Sequence, residues 1–493
     1  MRSLDLTPIK EAIAYSLNQA QHLNQSVILS YSWNYADFSQ ADFSKDISNQ
    51  VTPASLLAVA LEHEYKFYWQ QQPLTLAAIG EVVSMDINTD QNFSPQNRFE
   101  SAQAFCQKHL THSITKGQTD LGLIPTFAFG GFSFHHHPQN SWSGFPNSML
   151  FIPKWLLQQQ NLSLVITFNH CIHPQDHLKE LEKSVCGRIL EFPKLAPDLQ
   201  PEVNKQPQAN RDQNLEEVTG DRPWTEIVEQ AVNLIKHGKL EKVVLARALD
   251  IHSSSDPRSV LKSLEKNYPE CIAFLIDFGI ASFVGATPEI LLQFQFDSDR
   301  QDLSLKSDAI AGSTRRGLSS SEDQLLGDLL LASLKDRYEH EIVIRSICDR
   351  LKEFDVDLQK LSSPKLKCLK NVQHLHTEIE GTLKNTHWLK SFEILRQLHP
   401  TAAVGGEPQE IAVQLIQSSE ACDRGWYAAP IGWVNSQGEG IFAVGIRSGY
   451  LKDEFARIYA GAGIVADSDI ASELGETAIK FEALLKALGS FRL

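Results

Sequence analysis

Within residues 458–480, IYAGAGIVADSDIASELGETAIK, a glycine-rich backbone runs directly into a charged segment, so the two must fold within reach of each other. Residues 460–464 read as a glycine turn whose amides can approach a ligand, because Gly461 and Gly463 carry no Cβ. The segment after it predicts a helix. On that helix Glu473, Glu476 and Lys480, three and four residues apart, project together. Two carboxylates and an ammonium beside such a loop suit a polyanion completed by a hard cation. The same spacing also describes a solvated face with an ordinary Glu476–Lys480 pair.

At 493 residues the chain can bury one large core or roughly two to three ordinary ones. An apolar fraction of 42% and a charged fraction of 21% place it among globular proteins. The net charge of -15 argues against a nucleic-acid partner, since phosphate binding needs concentrated basic surface. A small anionic substrate remains compatible, because a pocket can be locally basic in an acidic protein. Seven cysteines are scattered without a CxxC pair, which indicates neither a disulfide framework nor a zinc ribbon and points to a reducing compartment, the cytoplasm. The N-terminus, MRSLDLTPIKEAIAYSL, lacks the long apolar core of a secretory signal. No run of about 18 apolar residues predicts a membrane span.

Residues 1–194 read as mixed strands and helices with a Gln- and His-rich surface. Residues 164–168 form a strand, and FAFGGFSF at 127–134 a strand interrupted by a Gly-Gly bulge. His135, His136 and His137 follow, but adjacent strand residues face opposite ways and make a poor metal site. Residues 195–223, rich in Pro, Asn, Gln, Asp and Glu, read as a linker or surface excursion. A helix opens at Pro223, with Trp224, Ile227, Val228, Ala231, Leu234 and Ile235 on one face, and ends near Gly238. A strand begins at Lys242, and strands and turns continue to Leu292. One long helix is predicted over about 321–351, with Leu325, Leu326, Leu329, Leu330, Leu334, Ile342 and Ile347 at helical spacing. Later apolar strands fall at 441–446 and 456–459.

Inside the long helix Asp336 and Glu339 lie three apart, as Glu473 and Glu476 do. Two helices presenting such pairs can enclose one hard cation. Mg2+ is the natural candidate, since it takes one or two carboxylates with waters and substrate oxygens; two independent solvated faces fit equally. Lys242 is either buried in an apolar strand, where an amine becomes a general base, or at its start with the head in water. Glu289 closes FVGATPE, as a general acid if apolar surroundings raise its pKa, or as a helix N-terminal charge. AIAGSTRRG at 309–317 offers amides and a hydroxyl near Arg315 and Arg316, suiting a carboxylate or a plain surface turn. Arg447, leaving FAVGIRS, forks onto a carboxylate or stays solvated, and Tyr427 adds a hydroxyl or fills a core.

Taken in order, KVVLAR, GATPE, AIAGSTRRG, KDRYEHEIV, VQHLHT, HPTAAVGG, RGWYAAPIGW, FAVGIRS and AGAGIVADSD with E-x-x-ET-x-x-K resemble the chorismate-utilising enzymes over 224–485, about half of the chain. The resemblance implies an α+β fold, two-lobed, with large antiparallel sheets packed face to face and helices outside. Residues 1–194 would then be an N-terminal lobe of the same fold, and 224–493 the chorismate-binding catalytic region. It implies chorismate bound with Mg2+. Lys242 matches the lysine that activates water for attack at C2, and Glu289 the glutamate that protonates the departing C4 hydroxyl. Glu339 and Glu476 match metal glutamates, with Asp336 and Glu473 in water-mediated contact. Tyr427, Arg447, Gly461, Gly463 and Lys480 match carboxylate-binding positions, and Gly312 and Ser313 the turn near the substrate. His374 of VQHLHT and Ala403 of HPTAAVGG complete the implied substrate-binding set.

Three positions separate members of this family. Ammonia-using anthranilate synthases generally carry glutamine where Lys242 stands. Aminodeoxychorismate synthases usually have a nucleophilic lysine where Ala311 stands, and alanine offers no nucleophile. Salicylate and anthranilate members tend to have threonine at the position of Ala403. The FGGFSF…W…FP segment resembles isochorismate synthases of the menaquinone/phylloquinone type. The resemblance therefore implies an isomerase, an isochorismate synthase acting reversibly and with Mg2+. The alternatives are a salicylate synthase, which goes on to eliminate pyruvate, and a non-catalytic chorismate-binding scaffold. It further implies a cytoplasmic monomer with a small-molecule substrate and no amidotransferase subunit, nucleic acid or membrane as partner.

Overall fold

The period of two along a strand organises this molecule. In Ile272–Asp277, residues Ile272, Phe274 and Ile276 enter one apolar core, while Ala273 and Leu275 enter another on the opposite face. A strand buried on both faces reads as an unbroken apolar run, and this is one. The computed structural model describes residues 5–35, 37, 52–57, 64–87, 97–135, 142–195 and 215–489.

Among these residues 21 strands form one hydrogen-bonded system that divides at the long strand Ser148–Gln160. One arm runs through Leu74–Ile87, Lys66–Gln71, Ile272–Asp277, Ser282–Thr287, Ser448–Lys452 and Phe455–Ile464 to Lys242–His252, all antiparallel. The other runs through Phe127–Phe132, Pro430–Asn435, Glu439–Val444, Ile290–Asp297 and Asp302–Arg315 to Val372–Leu383, again antiparallel. Phe67 of the first arm and Phe129 of the second meet with ring centroids 4.6 Å apart, which places the larger core between two facing sheets. Helices Thr7–Leu23, Leu178–Leu195, Pro257–Asn267 and Ile470–Ala487 fill the second core on the outer face of the first sheet, through Ile13, Val185, Leu261 and Leu484. The result is an α+β fold of large antiparallel sheets with helices outside. Lys66–Gln71 pairs with Ile272–Asp277 and Phe127–Phe132 with Pro430–Asn435, so the two halves of the sequence share both sheets.

Several local expectations change. The long helix is two helices, Ser320–Ala332 and Leu334–Lys352, because Ser333 takes extended backbone and caps the second by accepting from the amide of Asp336. Leu325, Leu329 and Leu334 consequently face solvent. A helix at Pro257–Asn267 lies where strands and turns were expected; its signal was Asp256 before Pro257, a cap that accepts from the Arg258 amide. Residues 460–464 are the end of strand Phe455–Ile464, not a turn. The Gly130–Gly131 pair sits in unbroken register with both neighbours, so there is no bulge. A Cβ on Gly131 would lie 2.7 Å from the Trp426 ring, so close approach explains that glycine. Of the expected linker, 196–214 lies outside the described residues, and 215–217 is a strand paired with Lys242–His252. His136 and His137 also lie outside the described residues; His135 is buried. All seven cysteines are free, and no described helix is long and apolar enough to cross a membrane.

A buried ion pair ties the strand Lys242–His252 to the loops beside it. Arg424, 1% exposed, donates to both carboxylate oxygens of Glu420, to the Val404 carbonyl at 2.7 Å and to the Val244 carbonyl at 2.8 Å. Glu420 in turn accepts from the Ala246 amide at 2.7 Å. Removing one partner of such a pair strands the other charge in the core. Arg424→Ala is therefore expected to cost about 3–5 kcal/mol in urea unfolding, and Arg424→Lys to recover little, since an ammonium cannot fork.

Candidate active site

The chain crosses from the first sheet to the second between Thr287 and Ile290, and returns between Val444 and Ser448. The two crossings are hydrogen-bonded to each other. The Ala286 amide donates to the Arg447 carbonyl at 3.1 Å, and the Val444 amide to the Glu289 carbonyl at 3.0 Å. Glu289 stands on the first crossing and Arg447 on the second. Arg447 has φ +52°, a left-handed conformation that non-glycine residues rarely adopt.

Glu289 is 2% exposed, and its Oε1 has no hydrogen-bond partner. Burial, reinforced by the charge of Asp308, raises its pKa to about 8 against the opposing pull of Lys242, Lys367 and Arg447. It is a carboxylic acid at neutral pH. Lys242 is fully buried, and its Nζ lies 2.9 Å from Oε1 of Glu339, an ion-pair contact without the alignment of a hydrogen bond. Glu339 comes from the buried face of Leu334–Lys352, shared with Val343, Ser346 and Arg350 at helical spacing. A Cβ on Gly463 would lie 2.1 Å from that same Oε1 and 3.1 Å from Cε of Lys242, so only glycine lets the strand pass this pair.

Two residues back on the same strand face, the Gly461 carbonyl accepts from Lys480 at 2.8 Å, and the same ammonium also donates to Glu476. Burial opposes ionisation of Glu476, but Lys480, Arg447 and Lys335 outweigh it and keep the carboxyl below its ordinary value. A polar chain leads from there to the second crossing. Arg447 donates to Nε2 of His374 at 3.1 Å, so that nitrogen carries a lone pair and Nδ1 carries the proton. Nδ1 meets Ser313 Oγ at 3.0 Å, and Ser313 reaches Glu476 at 3.4 Å. Burial, then Arg447 and Lys480, hold His374 well below its ordinary value, so the ring is neutral. Gly312, with φ +75°, sits at the irregularity in the Asp302–Arg315 strand that turns Ser313 to this position. Arg447 forms no ion pair among the described residues. Tyr427, its phenol pushed up to about 12 by burial, lies with its hydroxyl 3.4 Å from where a Gly461 Cβ would be.

The remaining acidic residues surround Lys335. That ammonium bonds Glu473 at 2.9 Å and is drawn electrostatically to Glu339 and Asp336. Glu473 is buried, and burial together with Glu476 raises its pKa. Asp336 accepts from the Ser333 hydroxyl within the helix cap. Among the described residues no group of three or more His, Cys, Asp or Glu side chains converges on a metal position. Mg2+ does not require one, because one or two carboxylates with waters and substrate oxygens suffice. Glu339 and Glu476 offer only oxygen, beside a strand stripped of side chains at Gly461 and Gly463; this donor set and clearance fit a hard cation.

Two expected features lie elsewhere. Arg315 and Arg316 pair with Glu322 and Asp323, so neither faces a ligand at the Gly312 turn. Ala403 is half-buried in the loop after His399–Pro400 and presents only a methyl group. Asp308 and Lys367 lie outside the family-like motifs, and Lys335 and His376 lie within KDRYEHEIV and VQHLHT without an expected role; a charge inside an apolar strand, as in LKSDAIAG, was the available signal for Asp308. Open clefts of about 430 and 660 Å3 lie around Tyr450 and Phe455 and along Trp224–Lys236, and neither contains Lys242 or Glu289.

The raised pKa of Glu289 makes stability depend on pH. Its neutral form is favoured in the folded state, so the contribution is full below about 4.5 and is lost as pH rises through about 8. Glutamine stays neutral throughout. Thermal denaturation of Glu289→Gln should match wild type near pH 5 and exceed it near pH 9, by on the order of a few kcal/mol. Melting curves that stay parallel across that range would contradict a buried protonated acid.

The family model for "Chorismate binding enzyme" matches residues 34–489. Isochorismate synthase MenF of Bacillus subtilis is 31% identical over 489 residues, covering 98% of each chain. The salicylate biosynthesis isochorismate synthase of Pseudomonas aeruginosa is 29% identical, over 96% of this chain and 93% of its own. The solved structure of MenF, the menaquinone-specific isochorismate synthase from Escherichia coli, superimposes with a TM-score of 0.70 at 24% identity, over 98% of this chain and 100% of that one. With two facing antiparallel sheets, this site at their paired crossings and a family match along nearly its whole length, the chain belongs to the chorismate-binding enzymes.

Proposed function

We propose that this protein is an isochorismate synthase, converting chorismate and water reversibly into isochorismate for quinone biosynthesis. One observation carries the reading. A buried lysine, Lys242, and a protonated carboxylic acid, Glu289, share a site with Arg447, a guanidinium that has no carboxylate of its own among the described residues. The names of the relatives support the same activity. Ala403, with no hydroxyl to offer, favours a reaction that stops at isochorismate.

Arg447 and Tyr427 receive one substrate carboxylate, with His374 holding the guanidinium in line through Nε2. Gly312, Gly461 and Gly463 let the backbone pass close to Asp336, Tyr427 and the Lys242–Glu339 pair, which keeps those side chains at the site. Lys242 takes a proton from water as the water oxygen bonds to C2. The ring double bond shifts and the C4–O bond breaks. Glu289 gives its proton to the departing oxygen, which leaves as water. One water enters and one leaves, and return of the proton from Lys242 to Glu289 resets the pair. Glu339 and Glu476 would hold Mg2+, which supplies charge neutralisation for the C1 carboxylate.

Chromatography of a mixture of protein, chorismate and Mg2+ should show isochorismate approaching a fixed ratio with chorismate, and none with EDTA. Salicylate with pyruvate, or binding without conversion, would replace this reading. Lys242→Ala should lower turnover by about 10²–10⁴-fold while retaining Mg2+-dependent chorismate binding in calorimetry. Glu339→Ala should lose that binding; an unchanged Mg2+ titration would remove Glu339 from the cation site.

A further inference from the structure

Behind the first crossing, buried Asp308 and half-buried His376 and Lys367 form a polar cluster to which the proposed reaction gives no part. Asp308, 5% exposed on the inner strand Asp302–Arg315, accepts from the Ile290 amide at 3.1 Å through Oδ2. Its Oδ1 lies 2.7 Å from Nε2 of His376. Burial opposes ionisation of Asp308, but the hydrogen bond from His376, the charge of Lys367 and the Ile290 amide hold it below the usual carboxylate range. It is therefore a carboxylate that can only accept, and Nε2 of His376 carries the proton between them. Lys367 stands 3.5 Å from Oδ2 and donates to the carbonyl of Pro288. The two residues flanking Glu289 are thus gripped from outside the substrate site, Pro288 through its carbonyl and Ile290 through its amide. Glu289 itself makes no side-chain hydrogen bond through Oε1 that would orient or ionise it.

We propose that Asp308, braced by His376 and Lys367, is a positioning residue that fixes the Glu289 crossing and keeps the Glu289 carboxyl in its acid form. The inference rests on the reading of Glu289 as the general acid. Two independent features support it. The first is geometric: two hydrogen bonds, from partners that are themselves ion-paired, converge on a four-residue crossing that carries one reacting group. The second is electrostatic. The groups facing Glu289 are Asp308, Lys242, Lys367, Arg447 and the phenol of Tyr427, and after burial Asp308 is the strongest influence holding the proton on. A like charge this close disfavours a second carboxylate, whereas the three cations favour it.

Opposite shifts in two variants test the proposal. Asp308→Asn keeps an oxygen for the Ile290 amide but loses the charge, and Lys367→Met removes a cation. The protonation midpoint of Glu289 is read by infrared titration of the carboxylic C=O band that disappears in Glu289→Gln, a measurement that needs no turnover. The midpoint should fall by about one pH unit in Asp308→Asn and rise in Lys367→Met. The alkaline limb of kcat/KM should move with it in each case. Unmoved midpoints in both variants would overturn the role given to Asp308, whatever the reaction. Midpoints that shift while the rate limb stays would uphold Asp308 and remove Glu289 as the general acid. If Asp308→Asn does not fold, Lys367→Met carries the same test, and an unmoved midpoint there overturns the proposal.

Discussion

Two short backbone crossings, hydrogen-bonded to each other, hold the rest of this site in place. A sheet strand can present a side chain only to one of its two faces, at fixed spacing. Where the chain leaves one sheet for the other, that restriction lapses, and a residue can address the space between them. Glu289 occupies one such point and Arg447 the other, and reciprocal amide bonds fix the two together. The left-handed backbone at Arg447 is tolerated because the ladders on either side determine where it must stand. The reacting groups therefore depend on the register of two large sheets, not on a loop of their own.

Charge pairing then separates fixed from available groups. Glu339 pairs with Lys242, Glu473 with Lys335, and Glu476 with Lys480. Each carboxylate buried here has its own cation, which is what the cost of burying an isolated charge demands. Among the described residues Arg447 and Glu289 break the pattern, one a cation without an ion pair and the other an acid whose Oε1 has no hydrogen-bond partner. A site that keeps one positive charge uncommitted and one proton in reserve suits an anionic substrate whose leaving group must be protonated. The glycines at 461 and 463 belong to the same economy of space, because any side chain there would displace the Lys242–Glu339 contact or crowd Tyr427.

Much of this was legible in the chain, and unevenly. The carboxylate spacing on the two helices, the isolated lysine of KVVLAR and the glutamate after Pro288 each announced a group in an unusual setting; Lys242, Glu289, Glu339 and Glu473 are buried, and Asp336 and Glu476 half-buried. The glycine pairs were visible but misread locally. Glycine signals a turn or a close approach, and at 460–464 and 130–131 only the neighbouring chain decides which. Ser333 was hidden for a similar reason, since helical spacing of leucines continues through the break while Leu325, Leu329 and Leu334 face solvent. Asp308 showed only as a charge inside an apolar strand and His376 only as the second histidine of VQHLHT, while Lys367 had no local signature. Their meaning comes from three strands, the first about 60 residues before the other two, and only the folded register brings them together.

The central claim is that Lys242 and Glu289 exchange one hydroxyl for another by way of solvent. Running the reaction in H2¹⁸O and locating the label by mass spectrometry tests it most directly. The account predicts isochorismate carrying a single ¹⁸O at the C2 hydroxyl, with chorismate acquiring label at C4 as the reaction reverses. Unlabelled isochorismate would mean that the hydroxyl migrates without water, and a water-activating Lys242 would then have no place in the mechanism.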